Sequence, residues 1–132
     1  MKQSLFNSIY YLLTQTKIME NHDHTALIRQ LLDCALACEN CAAECLRESD
    51  VAPMVRCISI DRDCADICTQ AARSLQRKSE IGHQYLLLCE EICNMCADEC
   101  SMHDHEHCKL CAAACRKCAA ACHAHHELIM QD

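Results

Sequence analysis

Cysteine recurs through this chain at alternating steps of three and four residues. The runs are Cys34, Cys38, Cys41 and Cys45, then Cys57, Cys64 and Cys68, then Cys89, Cys93, Cys96 and Cys100, and finally Cys108, Cys111, Cys115, Cys118 and Cys122. An α-helix turns once in about 3.6 residues, so each run puts its sulfurs on one face of one helix. These are the positions where a helical bundle normally keeps its leucines. The spacing predicts four helices whose shared interior is thiol.

A chain of 132 residues suits one domain, but the usual core formers are scarce: no Trp, one Phe and three Tyr. Its hydrophobic fraction of 52% is largely Ala and Cys. Both belong in interiors, yet they are small, and burial returns only about 25 cal/mol per Å² of apolar surface. A further component in the interior is expected.

Charge and segment composition narrow the partners. Net charge is −7, and the twelve basic residues form no stripe and have no interleaved aromatics, which excludes nucleic acid as the expected partner. The opening MKQSLFNSIYYLLTQTK is interrupted by Asn7, Ser8, Thr14, Gln15 and Thr16, with no small-residue cleavage site or twin arginine after it. No apolar run approaches the roughly 20 residues that span a bilayer. The expectation is a soluble cytoplasmic protein with no membrane partner, whose cysteines stay reduced. Composition agrees, because disulfide scaffolds are loop-rich and this chain has one Gly, Gly82, and one Pro, Pro53.

The expected fold class is all-α: an antiparallel up-down-up-down four-helix bundle with a Cys-lined core, plus a short N-terminal helical extension. Residues 1–20 form the extension, amphipathic through Leu5, Ile9, Leu12 and Leu13, and suited to docking rather than chemistry. Residues 21–132 form the bundle. Asn21 to Asp23 offer caps for a first helix reaching Ser49, and Pro53 suits the first turn of a second reaching Lys78. Ser79 or Gly82 marks the next break, a third helix covers 81–102, and Asp104 caps a fourth over 105–129. Connections this short force antiparallel neighbours.

The four runs form a degenerate internal repeat. The first and third helices share C-x3-C-x2-C-x3-C, and the second keeps the register with Asp61 in place of a cysteine. An inward carboxylate needs a cation or strong donors, because an unpaired buried one is very costly. Asp61 is therefore a candidate ligand or ligand partner, weighed against a solvated position on a rotated helix. Alanines such as Ala35, Ala42, Ala97, Ala112 and Ala119 flank the cysteines and let facing sulfurs approach. Intervening charges such as Glu39, Glu44, Arg47, Arg62, Glu90, Glu99, Arg116 and Lys117 are expected to solvate the outside.

The two ends of such a bundle differ. Leu27, Leu31, Leu75 and Leu86 continue the cysteine register at one end and plug it. Met54, Met102, His103, His105 and His107 gather at the other beside Cys45, Cys57, Cys100 and Cys108, forming a mouth of thioether and imidazole. Histidines at a helix junction are often plain polar surface, but here three alternate just before Cys108, and His103 and His107 are the preferred metal-handling pair. His22, His24, His83, His123, His125 and His126 are read as surface or, at the end of the last helix, as partners of its dipole.

Sixteen buried thiolates demand about as much positive charge. Copper(I) is the soft monovalent ion that thiolate and thioether select, and one ion per thiolate balances the charge. Zinc is the alternative, as a metallothionein-like buffer with one cysteine per helix per layer, although each tetrathiolate site keeps a net charge near −2. An iron–sulfur site is less favoured, since ferredoxin runs are loops ending in Cys-Pro and no cysteine here precedes proline. No nucleophile, base or open metal site stands out from the ladder, so an enzyme is not expected.

The repeated helices, and above all the run from His103 through Cys108, Cys111, Cys115 and Cys118 to Cys122, resemble the cysteine-rich four-helix-bundle copper storage proteins. Lacking a twin-arginine signal, the chain resembles their cytosolic branch. The resemblance spans residues 22 to 129 and implies many Cu(I) ions per bundle, loading at a His- and Met-containing mouth, and a homotetramer. It also implies that all sixteen cysteines are copper ligands, with Asp61 and His103 at the non-thiol ligand positions near the mouth. The segment before Asn21 has no counterpart in that pattern.

Overall fold

A computed structural model describes the backbone of residues 2–130 and the side chains of residues 7–9 and 24–128. Four α-helices account for nearly all of it: α1 (Lys2–Cys45), α2 (Val55–Gln76), α3 (Gly82–Cys100) and α4 (Glu106–Met130), with a short 3-10 turn at Ala52–Met54 before α2. Each helix packs on its neighbours in chain order, and α4 closes the ring against α1. The result is the expected up-down-up-down bundle, with no strand among the described residues.

The expected break at residues 21–23 is absent, and α1 runs unbroken from Lys2 to Cys45. Asn, Asp and His at these positions cost a helix only about 0.7 kcal/mol each, and with no Gly or Pro nearby nothing forces a stop. The apolar stripe expected of the extension lies mostly outside the described side chains, as does His22; Ile9 is about half exposed, at 49%. Downstream, α1 ends four residues before Ser49 in tight turns, with Leu46 N–H donating to Ala42 and Arg47 N–H to Glu44. Pro53 lies in the 3-10 turn that leads into α2, just ahead of the first-turn position expected for it.

The turn between α2 and α3 is a Schellman closure. Ser79 N–H reaches the Ser74 carbonyl at 2.9 Å and Lys78 N–H reaches Leu75 at 3.1 Å. Lys78 takes the left-handed position, with φ of 56°, that glycine usually fills. Gly82 instead opens α3. At the start of α4, the His105 carbonyl accepts from Cys108 and Lys109, so His105 rather than Asp104 occupies the cap position.

All sixteen cysteines are fully buried and free, and they form one continuous core. Leu31 and Leu86 are fully buried and Leu27 and Leu75 nearly so. They close the end of the bundle away from the α1–α2 and α3–α4 turns, as expected of a plug. These leucines supply apolar burial that the small thiols cannot. Leu86→Ala is expected to lower the unfolding free energy of the metal-free chain by about 2–5 kcal/mol, measured by urea denaturation at unchanged helical circular dichroism.

Candidate metal centre

Helical spacing delivers the sulfurs in vertical pairs. Cys41 and Cys45 lie 3.9 Å apart on α1, Cys64 and Cys68 4.0 Å on α2, Cys96 and Cys100 3.9 Å on α3, and Cys111 and Cys115 4.0 Å on α4. Facing helices then interdigitate these pairs: Cys38 meets Cys115 at 3.6 Å, Cys57 meets Cys100 at 3.7 Å, and Cys68 meets Cys89 at 3.6 Å. Cys64 on α2 reaches Cys115 on the diagonal helix α4 at 3.9 Å. Sulfur therefore fills the bundle axis, and the flanking Ala35, Ala65, Ala97, Ala112 and Ala119, all buried, leave room for that approach.

Several groups of four bring their sulfurs within 4.8 Å of one another. From the mouth inward they include Cys41, Cys45, Cys57 and Cys108; then Cys38, Cys96, Cys111 and Cys115; then Cys34, Cys38, Cys64 and Cys115; then Cys34, Cys64, Cys68 and Cys93; then Cys68, Cys89, Cys93 and Cys118. The four inner groups share cysteines with one another, the mouth group joins them through Cys57, 3.7 Å from Cys100, which lies 3.9 Å from Cys96, and each of these five draws on three helices with an i, i+4 pair from one of them. None is the one-cysteine-per-helix layer that the zinc alternative assumed. Shared sulfurs bridge neighbouring ions, and low-coordinate thiolate bridging is what copper(I) accepts.

Cys122 ends the ladder on α4, beyond these five groups and next to the leucine plug. Burial holds Cys45 above its ordinary range and pushes Cys108 up to about 11, so without metal these thiols stay protonated at neutral pH. Neutral thiols pack as small hydrophobes. A metal must displace their protons to bind.

Asp61 does occupy the inward position. It is fully buried, and thiols from three helices donate to its carboxylate: Cys96 at 3.2 Å, Cys100 and Cys111 at 3.3 Å each, and Cys57 at 3.7 Å. Burial first, and the Cys111 sulfur second, push its carboxyl up to about 8. Thiols are weak donors and do not offset burial, so without a cation the group is kept as the neutral acid below about pH 8.

The mouth histidines divide. His107 Nδ1 lies 3.5 Å from the Cys108 sulfur, 3.7 Å from Cys41 and 3.8 Å from Cys45. Its Nε2 is 2.9 Å from Glu48 Oε1, which His105 Nδ1 also approaches at 3.3 Å. A carboxylate only accepts, so the Nε2 hydrogen points to Glu48, and the ring turns its Nδ1 toward three sulfurs. The same contact holds the Glu48 carboxyl below its usual range.

His103 faces elsewhere. Its Nε2 pairs with Glu99 Oε2 at 2.8 Å, and Arg56 Nε holds the other Glu99 oxygen at 2.9 Å. Met54 is buried among the core residues, whereas Met102 is 70% exposed and stands outside the thiol cluster. Glu99, expected to solvate the surface, is instead nearly buried, and Glu48 was not foreseen at all. The signal for Glu99 was its place in the last turn of α3, four residues before His103.

Bundle, thiol core and imidazole-lined mouth define a protein that binds many soft metal ions in its interior. The sequence model of the copper storage protein family matches residues 20–127, and the chain belongs to that family. A cysteine-rich protein YhjQ of Bacillus subtilis (strain 168) is 42% identical over 83 residues, covering 63% of this chain and 77% of that one. Among solved structures, the Cu(I)-bound copper storage protein BsCsp3 superposes with a TM-score of 0.75 at 41% identity, covering 77% of this chain and 96% of the other. A cytosolic copper storage protein from Streptomyces lividans, solved with five coppers, gives 0.77 at 40% identity over 80% of this chain and 93% of its own.

Asp61 gives this centre a pH dependence whose sign is fixed. An acid with a raised folded-state value stabilises the fold fully below its unfolded value of 3.8 and loses that contribution as pH climbs through about 8. Between pH 4 and 8 the metal-free wild type is expected to lose stability relative to Asp61→Asn, read as the difference between their urea midpoints; equal slopes would contradict a buried, raised carboxyl.

Proposed function

We propose that the chain stores copper(I) on the sulfurs of Cys34, Cys38, Cys41, Cys45, Cys57, Cys64, Cys68, Cys89, Cys93, Cys96, Cys100, Cys108, Cys111, Cys115, Cys118 and Cys122. The observation that carries this reading is the overlap of the four inner four-sulfur groups, joined to the mouth group by the Cys57–Cys100 contact, which supports one continuous site rather than several closed ones. Each entering Cu⁺ replaces a thiol proton, so the filled core stays close to neutral. A zinc buffer would need separate tetrathiolate sites, each leaving a net charge near −2 in a dry interior.

Entry is at the mouth. His107 Nδ1, Cys41, Cys45 and Cys108 form the first landing site, held by Glu48, and Met54 lies buried at the same end. Asp61 stands one layer further in, ready to exchange its thiol contacts for a metal as sulfurs ionise. His103 and Met102 remain candidates through rotation of side chains at the rim rather than through present contacts.

Residues 21–132 form the storage unit and residues 1–20 an extension of α1. The family match beginning at residue 20 supports that division. The chain acts as a store rather than an enzyme, in the cytosol like its Streptomyces lividans relative. No helix is long and apolar enough to cross a membrane among the described residues. Assembly into a homotetramer is supported by apolar side chains left outside the bundle, among them Leu36, Leu46, Val55 and Leu110, each more than half exposed.

Anaerobic titration of the reduced chain with copper(I), with thiol counting, is expected to saturate on the order of one ion per cysteine, as the charge balance requires. Saturation after one or two ions would remove storage as the function. Tight binding of about four zinc ions in preference to copper would favour the zinc reading.

A further inference from the structure

The end of the bundle opposite the mouth carries a second cluster of metal-binding side chains, built from α3 and α4. The Glu90 carboxylate on α3 faces two imidazoles of α4: His123 Nδ1 lies 2.8 Å from Oε1, with its Nε2 on Glu127 Oε1 at 3.1 Å, and His126 Nε2 stands 3.7 Å from Oε2, too far for a hydrogen bond. His126 is an odd residue to find here. Its side chain is only 9% exposed, and neither ring nitrogen has a hydrogen-bond partner among the described residues. Leaving such a polar ring unsatisfied costs about 1–3 kcal/mol. His83 packs edge-on against it with ring centroids 4.7 Å apart, and the His83 Nδ1 is also buried without a partner.

We propose that Glu90, His123 and His126, with His83 beside them, form a separate site for one borderline divalent cation of the zinc(II) class. The donor set decides the class of ion. Imidazole and carboxylate suit zinc, nickel and copper(II), whereas copper(I) is drawn to the thiolates a few ångströms away. Three protein ligands with an open fourth position for water or His83 are a familiar zinc arrangement.

The site would also do something for the fold. The α3–α4 turn lies at the mouth, so at this end no loop ties α4 to its neighbour. An ion held by Glu90 on α3 and His123 and His126 on α4 clamps the last turns of α4 onto the bundle and closes the store behind the leucine plug. It satisfies His126 at the same time.

The test uses the full chain after saturation with copper(I), so that the thiols are already occupied. Cobalt(II) is added as a spectroscopic probe and zinc(II) by equilibrium dialysis with metal counting. One further divalent ion per chain is expected, with the weak visible bands of nitrogen and oxygen ligation and no near-ultraviolet thiolate-to-cobalt band. His123→Ala, at an exposed position, and Glu90→Gln are each expected to weaken zinc by about tenfold or more while copper capacity and circular dichroism stay unchanged. Absence of any further ion, a thiolate band, or equal affinity in both variants overturns the proposal. A failure of copper storage would show earlier, as a shortfall in the copper count before cobalt is added.

Discussion

Sulfur packed against sulfur along the bundle axis sets the terms for everything else in this molecule. A thiol is a small, weakly polar group, and when neutral it fills a core much as alanine or valine does. Once its proton leaves, the same atom is an anion in a medium that cannot solvate it, and burial raises the cost of that step, as at Cys45 and Cys108. The core therefore has two tolerable states, fully protonated or fully compensated by cations. Proton and metal exchange one for one, and the interior never holds a large net charge.

That constraint explains the position of the polar groups. Asp61 is tolerated inside because burial keeps it a neutral acid, with thiols from α2, α3 and α4 in contact with it, and it is placed near the end where protons must first be exchanged for metal. His107 shares the rim with Cys41, Cys45 and Cys108, and Glu48 outside it fixes which nitrogen faces the sulfurs. Deeper in the bundle, toward Leu31 and Leu86, the buried core continues in thiols and aliphatic side chains. A soft ion that enters at the mouth finds sulfur at every step inward and a hydrocarbon wall at the end.

The bundle and the ladder were legible in the sequence because both follow from helical periodicity. Steps of three and four assign a face without knowledge of the neighbours, and every cysteine lies where that reading put it. Asp61 was legible for the same reason, being a break in a repeat. What periodicity could not supply was which polar side chain at a helix end finds which partner. His103 and His107 looked alike in sequence, yet Glu99 in the last turn of α3 holds one and Glu48 from the turn after α1 orients the other toward the thiols. Met54 and Met102 also looked alike, but only Met54 precedes a helix that carries it inward. The start of α1 was misread because Asn21 and Asp23 are good caps, and a good cap permits a helix to begin without obliging the preceding chain to stop.

Storage also requires a scaffold that does not depend on its cargo. Ions held by shared thiolates draw four helices together, and a bundle with no other cohesion would loosen as they leave. The plug residues Leu27, Leu31, Leu75 and Leu86 bind α1, α2 and α3 to one another without metal, but none of them lies on α4. The α3–α4 turn lies at the mouth, and beyond Cys122 the buried residue among the described side chains is His126. The grip of α4 at the closed end rests on contacts such as those of His123 and His126 with Glu90. The helix that contributes the most thiols is thus the one whose far end is least secured by hydrocarbon, and that is where imidazole and carboxylate have been placed.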